Sequence, residues 1–388
     1  MMNAVGISMK YLKKYSSNII MLAGGLVGGI LLGLWIVHIQ DRMADVPMLR
    51  LMAWALGGFY FSAFVQIILH EGGHLIAGLL SGYRFVSFRI LSMIWVKKDG
   101  RIVRRKYSLA GTGGQCLLDP PGTCDDYPGV FYNLGGVIMN LLTALIAILV
   151  CRAVSSPLVQ MVLMLFAGTG IIYALINGIP LTSDSVSNDG RNTLEIIRSS
   201  EAKKALWRQL RINALQSYGD RLRDMPEDLF ELPPDEEMKN SLCASIAVLR
   251  MARLIDEHKF PEALELMEKI RQWPAVPGVY RNQIIIEKVS MEILTGNTDP
   301  GLVTEEYKKA LKMMRNSMSA QRTEYAVQKC IMKNEQKAAV LKKWMESMYR
   351  IWPYASEVEA EREMIELIDR SVINDEYAEA GRETDESV

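Results

Sequence analysis

Long apolar runs fill the first half of the chain, and shorter amphipathic stretches at helical spacing fill the second. A bilayer takes about 20 apolar residues in a helix, and four runs reach that length: roughly 17–40, 50–82, 129–152 and 156–180. The first follows Lys10, Lys13 and Lys14, and from Ile19 to Ile39 it outruns the apolar core of a secretory signal. Asp41-Arg42 then follows without a small-residue cleavage site, so the run reads as a retained transmembrane helix. The second run carries one charge, Glu71, between Met52 and Tyr83. At about 1.5 Å per residue it is longer than a bilayer is thick. It must therefore tilt or break, with Gly57-Gly58 and Gly72-Gly73 as the expected bending places.

The pattern changes at residue 84. Apolar and polar side chains alternate through Phe85-Val86-Ser87-Phe88-Arg89-Ile90, and Asp99-Gly100 separates Ile94-Trp95-Val96 from Arg101-Ile102-Val103. Asp-Gly between two strand-like runs signals a hairpin, which predicts a small β-hairpin or sheet over 84–118 at the cytoplasmic membrane face. The competing expectation there is a solvated basic loop held by anionic lipid. Beyond residue 200, turn-like breaks fall at His258-Lys259-Phe260, Gly296-Asn297-Thr298 and Lys333-Asn334-Glu335, each flanked by amphipathic helices. Ala263-Leu264-Glu265-Leu266 and Tyr307-Lys308-Lys309-Ala310-Leu311 look like degenerate tetratricopeptide repeats, an array that offers a concave face to a peptide or partner. An ordinary helical bundle is the plainer expectation.

The fold class expected is mainly α: a polytopic membrane protein with about four transmembrane helices, a small membrane-associated β-hairpin or sheet, and a soluble α-helical repeat-like domain. The expected divisions are 1–48, the first helix and its flanks; 49–199, the membrane core; 200–373, the helical domain; and 374–388, a disordered acidic tail.

Charge sharpens this division. The 388 residues hold 44 basic and 44 acidic side chains, but residues 1–200 carry 16 basic against 10 acidic, which leaves 28 against 34 for the rest. The neutral total offers no field for nucleic acid, and none is expected as a partner. Basic residues flank the runs at the N-terminal lysines and at Arg84, Arg89, Lys97, Lys98, Arg101, Arg104, Arg105 and Lys106. The positive-inside rule puts both groups in the cytoplasm, and with four crossings both termini lie there. Five scattered cysteines, with no C-x-x-C, indicate neither a disulfide framework nor a cysteine metal site.

Candidate chemistry sits inside the second run, at His70-Glu71-Gly72-Gly73-His74. Histidines four apart share one face of a helix, so both imidazoles can reach one Zn²⁺, and Glu71 beside the first can activate water as a general base. Ionisable residues are costly in a membrane helix, which makes a structural role for the cluster the poorer expectation. Zinc in an open catalytic site needs a third protein ligand. His38 and His258 are poorly placed for it, whereas Asp184 and Asp189, after the helix-breaking Asn177-Gly178-Ile179-Pro180, can each offer a carboxylate.

With these residues the chain resembles the site-2 protease family of intramembrane zinc metalloproteases over about 50–195. That family pairs H-E-x-x-H on one membrane helix with an Asn-x-x-Pro and a later Asp-Gly at the end of another; the matching positions are Asn177, Pro180, Asp189 and Gly190. The resemblance implies one zinc ion held by His70, His74 and Asp189, with Glu71 activating water and Asn140 and Asn177 as positioning residues for substrate. Gly135-Gly136 with Asn140 looks like the family's glycine-to-asparagine core helix, and close glycine packing explains the glycines equally well. The stretch from Asn177 to Asp189 is longer than the compact form of the motif, and Gly190 favours Asp189 over Asp184.

The activity implied is hydrolysis of peptide bonds in or near transmembrane segments of membrane proteins, or of residual signal or pheromone peptides, in a bacterial cell membrane. A cytosolic protein is the expected partner of the helical domain. Two other classes stay open: an inactive membrane scaffold that recruits a cytosolic partner, and a metal transporter using the same side chains as a relay.

Overall fold

The computed structural model describes residues 33, 37, 42–43, 45–98, 100–107, 112–181 and 187–385, with backbone alone from 372 onward. It is mostly helical, with twelve helices and one four-stranded antiparallel sheet among the described residues. Among the described residues, three helices are long and apolar enough to cross a membrane: α1 (Met48–Leu80), α2 (Gly129–Ala153) and α3 (Pro157–Gly178). The run at 17–40, expected as a fourth span, lies outside the described residues.

The burial pattern of α1 is the reverse of a water-soluble helix. Leu49, Leu56, Tyr60, Phe61 and Leu80 are exposed, while Ser62, Gln66, His70 and His74, spaced four apart, form a buried polar stripe with Glu71 beside it. Such a stripe turned inward, with large apolar side chains outward, suits a hydrocarbon surround. The bends expected at the glycine pairs do not divide this helix, which runs unbroken for 33 residues. Gly73 serves a close crossing instead. A Cβ there would lie 2.2 Å from the Gly135 carbonyl oxygen of α2, and one on Gly135 would lie 2.5 Å from the Gly73 carbonyl.

The sheet comprises β1 (Arg84–Ile90), β2 (Met93–Lys98), β3 (Arg101–Lys106) and β4 (Gly114–Asp119), in the order β3-β2-β1-β4. Lys98 faces Arg101 across the expected turn, where Gly100 takes the left-handed conformation (φ 76°) that glycine adopts at no steric cost. β1 pairs with β4 from Arg84↔Asp119 to Ile90↔Gly114, with a bulge between Phe85 and Ser87.

Packing divides the elements into two units. One holds α1–α3, β1, β4 and a short helix α4 (Asp189–Arg198). The other holds β2 and β3 with α5 (Ser200–Tyr218), α6 (Ser241–Asp256), α7 (Phe260–Gln272), α8 (Gly278–Leu294), α9 (Glu305–Met313), α10 (Met318–Ala326), α11 (Glu335–Tyr349) and α12 (Ala355–Asp385). Consecutive helices from α5 to α9 pack on one another, as do α8 with α10 and α10 with α11. Positive φ at His258, Gly296 and Lys333 marks the three breaks seen in the sequence. α12 then packs across α5, α8 and α10, a closure that a solenoid of repeats touching only their neighbours lacks. Its backbone stays helical into the stretch expected to be a disordered tail, as far as Asp385; alanine and glutamate there are good helix formers.

A buried charge triad joins three helices of this second unit. Arg322 of α10, 2% exposed, meets Glu287 of α8 at 2.6 Å and Glu361 of α12 at 3.1 Å. Burial, opposed by Arg322, pushes the Glu361 carboxyl up to about 7. Arg322→Met strands two carboxylates and is expected to cost about 3 kcal/mol at pH 8. A carboxyl raised by folding loses stability as pH rises from about 4.5 through 7, so the cost is smaller at pH 5, where Glu361 is protonated. Urea unfolding followed by circular dichroism at both pH values checks this.

Candidate metal centre

Helical spacing delivers His70 and His74 to one point. Their Nε2 atoms lie 3.2 Å apart, and Asp189 Oδ2 lies 3.1 Å from the first and 3.3 Å from the second. Among the described residues these three form a group able to hold a metal ion. Asp184, the rival third ligand, lies outside the described residues.

The donor set fits a cation. Asp189 Oδ2 is buried without a hydrogen-bond donor. Each imidazole turns its other nitrogen to an acceptor: His74 Nδ1 lies 2.8 Å from the Tyr132 carbonyl, and His70 Nδ1 lies 2.7 Å from Asn140 Oδ1. Protons on both Nδ1 atoms leave two nitrogen lone pairs and a carboxylate oxygen facing one another, an arrangement that positive charge between them stabilises.

Asp189 comes from outside the membrane-length helices, and its neighbour fixes it. Asn188 caps α4 by accepting from the Arg191 amide at 2.9 Å, and it donates to the Ile176 and Ile179 carbonyls at the end of α3 at 2.6 and 2.7 Å. One side chain thus ties the end of α3 to the start of α4. Gly190 allows the approach, since a Cβ there would lie 2.0 Å from the Gly178 carbonyl oxygen.

Glu71 lies against the start of β4, where a Cβ on Gly114 would sit 2.5 Å from Glu71 Oε1. Arg89 of β1, 1% exposed, holds this turn by donating to the Leu91 carbonyl at 2.7 Å, to the Gly114 carbonyl at 3.0 Å and to Thr112 Oγ1. Asn140 reaches the centre only through His70. Its amide nitrogen donates to Gln66 Oε1 at 2.7 Å and to the Gln66 carbonyl at 3.1 Å, so neither amide hydrogen is left for a substrate. Asn177 donates to the Tyr173 carbonyl of its own helix at 3.0 Å.

Gln66, Asn188 and Gly114 were not singled out from the sequence, and Arg89 was read there only as a basic flank. An amide in an apolar run and an asparagine just before a helix are visible signals for the first two. Arg89 and Gly114 meet only through strand pairing. Comparison with known proteins adds no relative: no family model, curated protein or solved structure matches the chain.

Proposed function

We propose that the chain is an intramembrane zinc metalloprotease of the site-2 type, holding one zinc ion through His70, His74 and Asp189 and cutting peptide bonds in or near transmembrane segments. The convergence of the two Nε2 atoms and Asp189 Oδ2 at 3.1–3.3 Å, with Glu71 next in the chain, carries this reading. A tetrahedral ion with bonds of about 2.0–2.1 Å has its ligand atoms about 3.3 Å apart, and two imidazoles with one carboxylate is a catalytic zinc set. In the proposed topology a further span at 17–40 precedes α1, both termini are cytoplasmic, and the helical unit meets a cytosolic protein.

Bound zinc supplies Lewis-acid polarisation of the scissile carbonyl and a lower pKa for water. The chain's own residues do the rest. His70 and His74 keep their Nδ1 protons on Asn140 and Tyr132, which orients both rings. Glu71 takes a proton from the attacking water at its carboxylate and returns it to the leaving amine. Exposed apolar faces on α1–α3 would lie in lipid, and the motif lies toward the C-terminal, cytoplasmic end of α1 in the proposed topology, so water enters from that side. A helical substrate hides its peptide bonds in its own hydrogen bonds and must unwind before attack. β4 ends the sheet order and starts against Glu71, so an unwound segment paired along it would run beside the carboxylate.

The test is the full-length protein in lipid nanodiscs, with zinc counted by mass spectrometry and cleavage of single-pass membrane peptides followed. One zinc per chain is expected, with hydrolysis that a chelator stops and added zinc restores. Hydrolysis indifferent to the chelator, or no metal uptake, overturns the reading.

A further inference from the structure

We propose that Gln66 is a positioning residue for the metal: it determines which ring nitrogen of His70 carries the proton, and so keeps Nε2 open for binding. The proposal rests on the reading of His70, His74 and Asp189 as a metal site.

The hydrogen bonds around Gln66 run in one direction only. The Phe166 carbonyl of α3 can only accept, so the Gln66 side-chain atom 3.2 Å from it is the amide nitrogen. Gln66 Oε1 is then the end facing Asn140, and it too only accepts. The Asn140 atom 2.7 Å from Oε1 also lies 3.1 Å from the Gln66 main-chain carbonyl, so two acceptors require it to be nitrogen. Asn140 Oδ1 is thereby turned toward His70 Nδ1, which must donate across the 2.7 Å between them. A neutral imidazole protonated on Nδ1 has its lone pair on Nε2, the atom that faces Asp189.

Without Gln66 the Asn140 amide loses its shorter anchor. With Oε1 gone, the Asn140 amide keeps only the longer 3.1 Å bond to the Gln66 main-chain carbonyl, so turning it over to present nitrogen to His70 Nδ1 costs one acceptor contact where it had cost two. That nitrogen makes Nδ1 the acceptor and moves the ring proton to Nε2, where it blocks the metal. Gln66 and Asn140 are both fully buried, so an unpaired amide is costly at either position. The packing is built around the pair: a Cβ on Gly170 of α3 would lie 2.7 Å from Gln66 Nε2 and 3.0 Å from the Asn140 carbonyl. His74 differs, because its Nδ1 faces a main-chain carbonyl that no rotation can reverse. α3, which supplies no ligand itself, thus acts on one of the two histidines through the Phe166 carbonyl.

The experiment measures Zn²⁺ affinity of the full-length protein in nanodiscs by competition with a chelator, and the visible spectrum after Co²⁺ loading. Gln66→Met, close in volume and unable to hydrogen-bond, is expected to weaken zinc binding about tenfold and change the cobalt bands, in line with losses seen for partners behind a ligand. Gln66→Leu is measured alongside, so that the result does not hang on one side-chain shape. Asn140→Leu removes the next link, and adding Gln66→Met to it should cost less than a further twofold. Wild-type affinity and spectrum in both Gln66 variants overturn the proposal, as do losses at Gln66 and Asn140 that simply multiply. A wild-type protein that binds neither ion overturns the metal site itself and the role of Gln66 with it.

Discussion

Glu71→Gln is expected to abolish hydrolysis while the protein keeps its zinc. Glutamine has the size of glutamate and fits the same contact with Gly114, so the chain around it need not move. It contributes none of the three converging ligand atoms, which belong to His70, His74 and Asp189. What it loses is the ability to take a proton. General acid–base catalysis by one side chain is worth up to about ten-thousandfold, and here one carboxylate serves both the attacking water and the leaving amine. A fall in kcat of about a thousandfold or more follows, with zinc stoichiometry unchanged by mass spectrometry. An active Glu71→Gln protein would remove Glu71 from the chemistry, and a protein that lost zinc would make it a structural partner instead. The same variant separates the protease from a transporter using these side chains as a relay, since carriage of metal needs no proton acceptor at Glu71.

The parts of this molecule governed by local geometry were readable from the residues alone. Apolar runs of bilayer length became α1, α2 and α3, and Asp99-Gly100 marked the β2–β3 turn because few other residues take its backbone conformation. His70 and His74 were readable for the same reason: a helix places residues four apart on one face. Asp189 was not, because its approach depends on where α3 ends and on how Asn188 and Gly190 let α4 start there. From the residues it stood level with Asp184, and only a resemblance in motif favoured it. Gly72-Gly73 was expected as a bending place, but a missing Cβ serves flexibility and close approach equally, and only the Gly135 carbonyl against Gly73 shows that close approach is used there. The acceptors behind the two histidines show the same limit. Asn140 carries a side chain that a pattern can flag, whereas the Tyr132 carbonyl is a group every residue owns.

Gly190→Ala is expected to weaken the metal site although Gly190 supplies none of its ligand atoms. The added Cβ would lie 2.0 Å from the Gly178 carbonyl oxygen and 3.1 Å from that of Asn177, and both are main-chain atoms at the end of α3. Neither can swing away as a flexible side chain does. Relieving the clash moves the first turn of α4 by about 1 Å or more, and the carboxylate of Asp189, one residue before, moves with it. Metal distances tolerate only about 0.2 Å. Four ligands together bind structural zinc with about 10–16 kcal/mol, roughly 2.5–4 kcal/mol each, so displacing Asp189 should weaken zinc by about a hundredfold, or just under, to about a thousandfold. Gly168→Ala is the internal control: it lies in α3, nothing falls within 4 Å of its Cβ, and it should bind zinc as wild type does. Chelator competition on the two variants decides the matter. Equal affinities would mean that α4 finds another path to the histidines and that the tight junction of α3 with α4 does not hold Asp189 in place.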